Sequence, residues 1–458
     1  MIERIQIFHT NDVHSHFGEW PKISRYLIDR RREAEVNGEA CFVFDIGDHV
    51  DRSHPFTEAT NGRGNIELLN EAQYDAVTIG NNEGITLSHE ALDELYDEAA
   101  FDIVVANLKN GDDTPIDWRK DYVVYPLSSG VQVGVFGLTA PYPMAYRALG
   151  WSIESPLERA KDVLAELTKE ADIIICLSHL GIRGDRRLAV QFPEINVILG
   201  GHTHHLLERG EWVGETLLAA AGKYGRYIGR VDIMYDHDKR LIVEQTASVR
   251  ATASLRMTAK DIERAREYMQ RGKEALQAPV FWSPAKVSSQ LFQQSELASL
   301  FGRALIDYTE AECAMFNAGI FLGHLPKGCV TKGDIHSLLP HPINPVVAEV
   351  DGSVIYHLYA KSKDADFTHS IIRGLGFRGT YMGAILFERM FENDEGRLFI
   401  GNRPVLHGET YRLATLDMFT FGFFFPELEH VPKQYFMPEL LRDMFETYAK
   451  KKFSQEGC

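Results

Sequence analysis

Asn196-Val197-Ile198-Leu199-Gly200-Gly201-His202-Thr203-His204 is an apolar run that ends in two glycines and a His-x-His pair. Four upstream stretches share this build. Ile5-Gln6-Ile7-Phe8 leads into His9-Thr10-Asn11-Asp12-Val13-His14, and Cys41-Phe42-Val43-Phe44 leads into Asp45-Ile46-Gly47-Asp48. Ala76-Val77-Thr78-Ile79 leads into Gly80-Asn81-Asn82-Glu83, and Ile173-Ile174-Ile175-Cys176 leads into Leu177-Ser178-His179. Short apolar runs bounded in this way read as buried strands. Helical patterns over residues 23–36, 89–100 and 156–169 lie between them. Strands alternating with helices predict an α/β sheet, whose ligand sites gather beyond the carboxyl ends of the strands. All five polar endings fall there.

Those endings deliver Asp12, His14, Asp48, Asn81, His179, His202 and His204. Asp-x-His and His-x-His place two side chains on one side of an extended segment, because strand side chains alternate with period two. Carboxylate, imidazole and amide oxygen together suit Mn, Fe, Zn or Co. With Asp48 bridging, Asp12, His14 and His204 would hold one ion, and Asn81, His179 and His202 the other. Two ions roughly 3.5–4 Å apart clamp an in-line displacement at phosphorus, activating a shared hydroxide and neutralising phosphoryl oxygens. One His-x-His in a loop is ordinarily a hydrogen-bonded surface pair. Five fragments in order at successive strand ends predict a centre for two divalent ions (Mn, Zn, Fe, Co or Mg).

The rest of the chain bounds this reading. Its 458 residues, 45% hydrophobic and 25% charged, suit a globular protein of two or more domains. The net charge of −17 repels polyanions, which argues against a nucleic-acid polymer or an anionic membrane as partner. A local cationic site could still take a small anion. No apolar run approaches the roughly 20 residues that span a bilayer. Residues 1–8 alternate as a strand, with none of the features of a secretory signal, and Cys41, Cys176, Cys313, Cys329 and Cys458 lack CxxC spacing. The expectation is a cytoplasmic chain without structural disulfides or a thiolate zinc site. Near residue 255 the pattern changes. Residues 258–276 read as a charged connecting helix, with Thr258 as N-cap and Asp261 in its first turn. The expected domains are 1–255, a linker 256–281, and 282–458, which ends in a helix over 438–451.

With these residues quoted, the chain resembles the calcineurin-like metallophosphoesterases, in their two-domain 5′-nucleotidase/UDP-sugar hydrolase family. The motifs are Asn11-Asp12-Val13-His14, Gly47-Asp48-His49-Val50-Asp51, Gly80-Asn81-Asn82-Glu83, Ser178-His179 and Gly200-Gly201-His202-Thr203-His204. Residues 312–319, 328–339 and 411–415 look like the family's second domain. The resemblance implies an N-terminal four-layer sandwich of mixed sheets flanked by helices, plus a C-terminal α+β domain that binds substrate. It also implies hydrolysis of a small phosphate ester, a nucleotide first, with catalytic roles at Asp48 and Asn82. A diphosphate hydrolase of nucleotide sugars or nucleotide cofactors is the second reading. A phospho-ligand binder with little or no turnover is the third.

Departures from the family qualify the transfer. Asn82 stands where the family has a catalytic His, and Ile85 where it often has an Asp. An amide transfers no proton at neutral pH, so Asn82 is expected to donate a hydrogen bond to a phosphoryl oxygen. General acid–base help is typically worth about 10²–10⁴-fold. His16, His49 and His54 are the imidazoles in reach that could substitute, against the plainer reading that each is structural. In the second region the family's Asn-Gly-Gly-x-Ile-Arg becomes Asn317-Ala318-Gly319-Ile320-Phe321-Leu322, and its Pro-Phe-Gly-Asn becomes Pro340-His341-Pro342-Ile343-Asn344. Its late glycine loop becomes Phe421-Gly422-Phe423-Phe424-Phe425, where 419–425 also reads as a buried strand and loop wall. Candidate substrate contacts are Asn317, Gly319, His341, Asn344, Arg373, Arg378, Met418 and Phe424.

Overall fold

Along Ile173–His179 the side chains alternate between two cores. Ile173, Ile175 and Leu177 pack with Ile5, Phe44 and Val231, whereas Ile174 and Cys176 pack with Leu164, Leu167 and Leu188. A strand covered on both faces needs no polar alternation, so the run is continuously apolar. The computed structural model describes residues 1–454 and 457–458, and divides into the units Met1–Gly272 and Lys273–Cys458.

The first unit holds two six-stranded sheets. In one, Ile2–Thr10 lies between Tyr227–Asp236, antiparallel, and Ala40–Asp45, parallel, followed by Ala76–Val77 and Asp102–Ile103. In the other, Gln132–Thr139, Ile173–His179, Val197–Gly200 and Thr216–Ala219 run parallel. The sheets share the core that contains Ile7, Phe44, Val135 and Leu199. Helices Pro156–Glu170 and Ile182–Gln191 cover the second sheet's other face. The architecture is the mixed α/β arrangement expected.

Helix Ala259–Ala275 starts as the sequence predicts. Thr258 N–H donates to Asp261 at 2.8 Å, and Asp261 N–H donates to Thr258 Oγ1 at 3.2 Å. This reciprocal pair satisfies two amides that a helix start leaves unpaired. The helix expected over 89–100 stops early, at His89–Asp93.

The second unit is built on a five-stranded sheet, ordered Ile385–Glu388, Cys313–Asn317, Thr410–Leu416, Pro345–Asp351, Lys433–Tyr435. Helices Glu296–Thr309 and Leu441–Lys452 contribute Phe301, Leu305, Met444 and Phe445 to its core. Two expectations fail here. The 419–425 segment is no strand: Asp417–Phe419 is a short 3-10 turn and Gly422 has φ 77, which breaks extension. The expected absence of structural disulfides is overturned by Cys329–Cys458, Cα–Cα 5.0 Å. Cys329 lies opposite Trp282 in a two-stranded ladder, and Trp282 N–H donates to Ser454 O. Tertiary pairing, which cysteine spacing does not report, brings the two thiols together. Among the described residues no helix is long and apolar enough to cross a membrane.

Candidate metal centre

Every candidate ligand sits where a strand stops. Asp12 and His14 follow Ile2–Thr10, Asp48 follows Ala40–Asp45, and Asn81 opens the helix Asn81–Thr86. His179 closes its strand, and His202 and His204 follow Val197–Gly200. The loops are laced by backbone bonds, including Asp12 N–H to Gly47 O (3.0 Å), His14 N–H to Asp48 O (2.8 Å) and Gly201 N–H to Ser178 O (2.9 Å). Asp12, His14, Asp48, His202 and His204 have φ of 50, 48, 52, 71 and 57°. Left-handed backbone is uncommon for residues other than glycine, and such strain gathers at functional sites. The paired side chains therefore converge through left-handed turns rather than through the extended alternation expected from sequence. Close approach also fixes two glycines: a Cβ at Gly80 would lie 2.1 Å from Asp48 Oδ1, and one at Gly47 2.3 Å from Gly80 N.

Ligand-type atoms of Asp12, His14 and His204 lie within 4.8 Å of one another, as do those of Asp12, Asp48 and His179. His14 Nε2 is 3.3 Å from His204 Nε2 and 3.7 Å from Asp48 Oδ2, and His204 Nε2 is 3.4 Å from Asp12 Oδ1. His179 Nε2 faces Asp48 Oδ1 at 3.5 Å. Two ligands bound at ~2.1 Å to one ion, roughly at right angles, stand ~3 Å apart, so these spacings suit shared ions. Asn81 and His202 meet each other, Oδ1 to Nδ1 at 2.8 Å, with the His202 ring 5.2 Å from that of His179.

The electrostatics fit the same donors. Burial would lower the His179 imidazole, but the charge and hydrogen bond of Asp48, the Asp12 charge and the Ile46 carbonyl together outweigh it and lift His179 to about 10. Burial would raise Asp12, yet the His204 hydrogen bond and the His179 charge hold it below the usual carboxylate range. A buried site that retains a proton to such a pH is short of positive charge, which divalent ions would supply. His179 Nδ1–H donates to Ile46 O at 2.6 Å, while its buried Nε2 has no hydrogen-bond partner. Once a metal displaces the second proton, that bond keeps the remaining one on Nδ1 and leaves the Nε2 lone pair turned to the site.

Several residues that shape the centre went unassigned in the sequence reading. The Glu83 carboxylate accepts from the amides of Gly80 (2.8 Å), Asp48 (3.0 Å) and Val50 (2.8 Å), clamping two strand ends together. Asp51 Oδ2 faces His14 Nδ1 at 3.5 Å, and Tyr142 Oη lies 3.3 Å from His202 Nε2. Glu83 was in view as part of its motif. Its backbone partners at Asp48 and Val50, 35 and 33 residues away, were not.

Asn82 is buried, and its side-chain nitrogen meets Val50 O at 2.8 Å and His14 Nδ1 at 3.1 Å. The side chain is tied to Val50 O and packed against the His14 ring inside the protein, so it does not present the phosphoryl contact expected of it. Its backbone N–H instead donates to Asp48 Oδ1 at 2.7 Å. Of the three substitute imidazoles, His49 is buried against Trp20 and pushed down by burial to about 3. His54 Nδ1 caps the helix Pro55–Ala59 by accepting from Phe56 N–H. His16 is exposed and stacks on Tyr224.

The second-unit candidates sit differently. His341 is fully buried, with Nε2 bonded to Ile320 O, Nδ1 accepting from Arg378 N–H, and its ring stacked on Phe377. Asn344 Nδ2 donates to Glu439 O. Asn317 Nδ2 donates to Met382 O, while its buried Oδ1 has no partner. Gly319 packs against the carbonyls of Tyr381 and Met382. Met418 and Phe424 belong to the core, Arg378 is half-buried, and Arg373 is exposed.

Residues 5–206 match the calcineurin-like phosphoesterase family, and residues 275–420 match the 5′-nucleotidase C-terminal domain. The chain is 42% identical to an uncharacterized metallophosphoesterase, YunD, of Bacillus subtilis, over 97% of this chain and 98% of that protein. It is 25% identical to a 5′-nucleotidase of Vibrio cholerae, over 76% of this chain and 73% of the relative. A Staphylococcus aureus structure described as a putative 5′-nucleotidase shares the fold, at TM-score 0.70 and 15% identity, covering 100% and 98% of the two chains. The site uses two divalent metals and hydrolyses phosphate esters: the chain belongs to the calcineurin-like metallophosphoesterases, in the two-domain form that carries a 5′-nucleotidase C-terminal domain.

Proposed function

We propose that the ester hydrolysed is a nucleotide's. The reading is carried by the convergence of two carboxylates and three imidazoles at neighbouring strand ends, and relatives named as 5′-nucleotidases support it. Asp12, His14 and His204 would hold one ion, Asn81, His179 and His202 the other, with Asp48 between them. Bound there, such ions supply Lewis acidity to phosphoryl oxygens and acidify water. The chain's own part is to hold the donors still. Ile46 O orients the His179 ring, His202 N–H bonds both Asp12 oxygens at 3.1 Å, and Asn82 N–H bonds Asp48. With an amide at position 82 no proton reaches the leaving group from there, which favours esters whose leaving groups depart as stable anions.

The test is a phosphate-release screen with Mn, Co, Zn and Mg over nucleoside phosphates, nucleotide sugars, dinucleotide cofactors and sugar phosphates. Nucleotides should give the highest kcat/KM. Sugar phosphates turned over faster would overturn the reading.

A further inference from the structure

Beside the ligands lies a depression of about 580 Å³, lined by His16, Glu19, Tyr224, Arg226 and Thr252 among others. The loop that brings Tyr224 to its wall is tied to the metal-binding segment. Asn11, which precedes Asp12, donates to Gly222 O at 2.7 Å and accepts from Ala221 N–H at 2.9 Å, and Tyr224 N–H donates to Asp12 O at 2.8 Å. Tyr224 is held at φ 63, a costly conformation for an aromatic residue. Its ring centroid is 5.8 Å from that of His14 and 6.5 Å from that of His204, and His16 stacks on it at 3.8 Å and 19°.

Two cations rest on this ring: Lys223 Nζ is 4.6 Å and Arg226 Cζ 5.6 Å from its centroid. Among the described residues neither has a carboxylate partner, although the chain carries a net charge of −17. The nearby Glu19 is paired with Lys22 instead. Cations placed on a ring are ordered in advance and keep their charge for a ligand. Arginine in particular matches phosphate oxygens.

We propose that the Lys223–Tyr224–Arg226 shelf receives a second phosphoryl group, which makes nucleoside diphosphates the preferred nucleotides. The proposal rests on the nucleotide reading above. Water adds to the terminal phosphorus at the metal centre, and the bridging P–O bond breaks with its electron pair on the departing nucleoside monophosphate. Inorganic phosphate and a proton are released to solvent. A phosphate leaving group needs no acid, which agrees with the amide at position 82.

The test compares the Mn-loaded full chain with the Lys223→Ala/Arg226→Ala double variant on adenosine diphosphate and p-nitrophenyl phosphate. The ratio of kcat/KM for the diphosphate to that for the aryl ester should fall fivefold or more. A smaller change overturns the proposal. The Lys223→Met/Arg226→Met pair, which keeps the apolar stems, is read identically should the alanine pair fail to fold. If the wild-type chain turns over neither compound, the nucleotide reading fails. Calorimetric titration of inorganic pyrophosphate into the metal-free chain then decides the shelf, with a fivefold loss of affinity in the double variant supporting it and an unchanged affinity overturning it.

Discussion

Polar groups in the two units have opposite fates. At the strand ends of Met1–Gly272, buried carboxylates and imidazoles face one another, and His179 Nε2 lacks a hydrogen-bond partner. In Lys273–Cys458, His341 and Asn344 are matched by their own unit's backbone. Buried polar groups that face each other without full hydrogen bonding are costly unless something else completes them. Groups satisfied by backbone stabilise a core and ask for nothing further. The first region is arranged around an external ligand, whereas in the second His341 and Asn344 are completed by backbone and Asn317 Oδ1 is left over.

The strongest way to break this contrast is Asp48→Ala, which should reduce Mn-dependent phosphate release to background in a colorimetric assay. Activity near wild type would show that the facing donors are not a metal centre. Asp51→Ala probes the layer behind it: loss of the carboxylate facing His14 Nδ1 should weaken Mn binding by about 10–100-fold, measured calorimetrically. In the other unit, Met418→Ala should cost about 2–5 kcal/mol in denaturant unfolding through the cavity it leaves, with KM unchanged. A raised KM would give Met418 a substrate role.

The smallest effect sharpens the contrast through pH. Burial pushes the Asp417 carboxyl up to about 7 from 3.8. A folded pKa above the unfolded one means stability is fully present below about pH 4 and is lost as pH rises through about 7. Asp417→Asn removes that dependence. The melting temperature of the variant minus that of wild type should therefore rise between pH 4 and 7 and level off above. A flat difference would show that Asp417 ionises freely.

Sequence legibility followed the same divide. The strand-end residues were readable because each ligand type announces its chemistry and each apolar run announces its strand. The left-handed turns at Asp12 and His204, the three amides on Glu83, and the Tyr224 loop under Asn11 were not, because they depend on backbone partners remote in sequence. Phe419–Phe425 misled for a different reason. Phe421 and Phe423 are exposed while Phe424 and Phe425 are buried, a pattern set by the Gly422 turn rather than by composition.

Five donors on left-handed main chain mean that the shape of the cation cradle is stored in backbone torsions, not in the identity of the side chains. Swapping one donor type for another, such as aspartate for asparagine, which tolerates that conformation well, would then alter which ion is preferred while leaving its position in space untouched. Such a scaffold can be retuned between metals by single substitutions without being rebuilt.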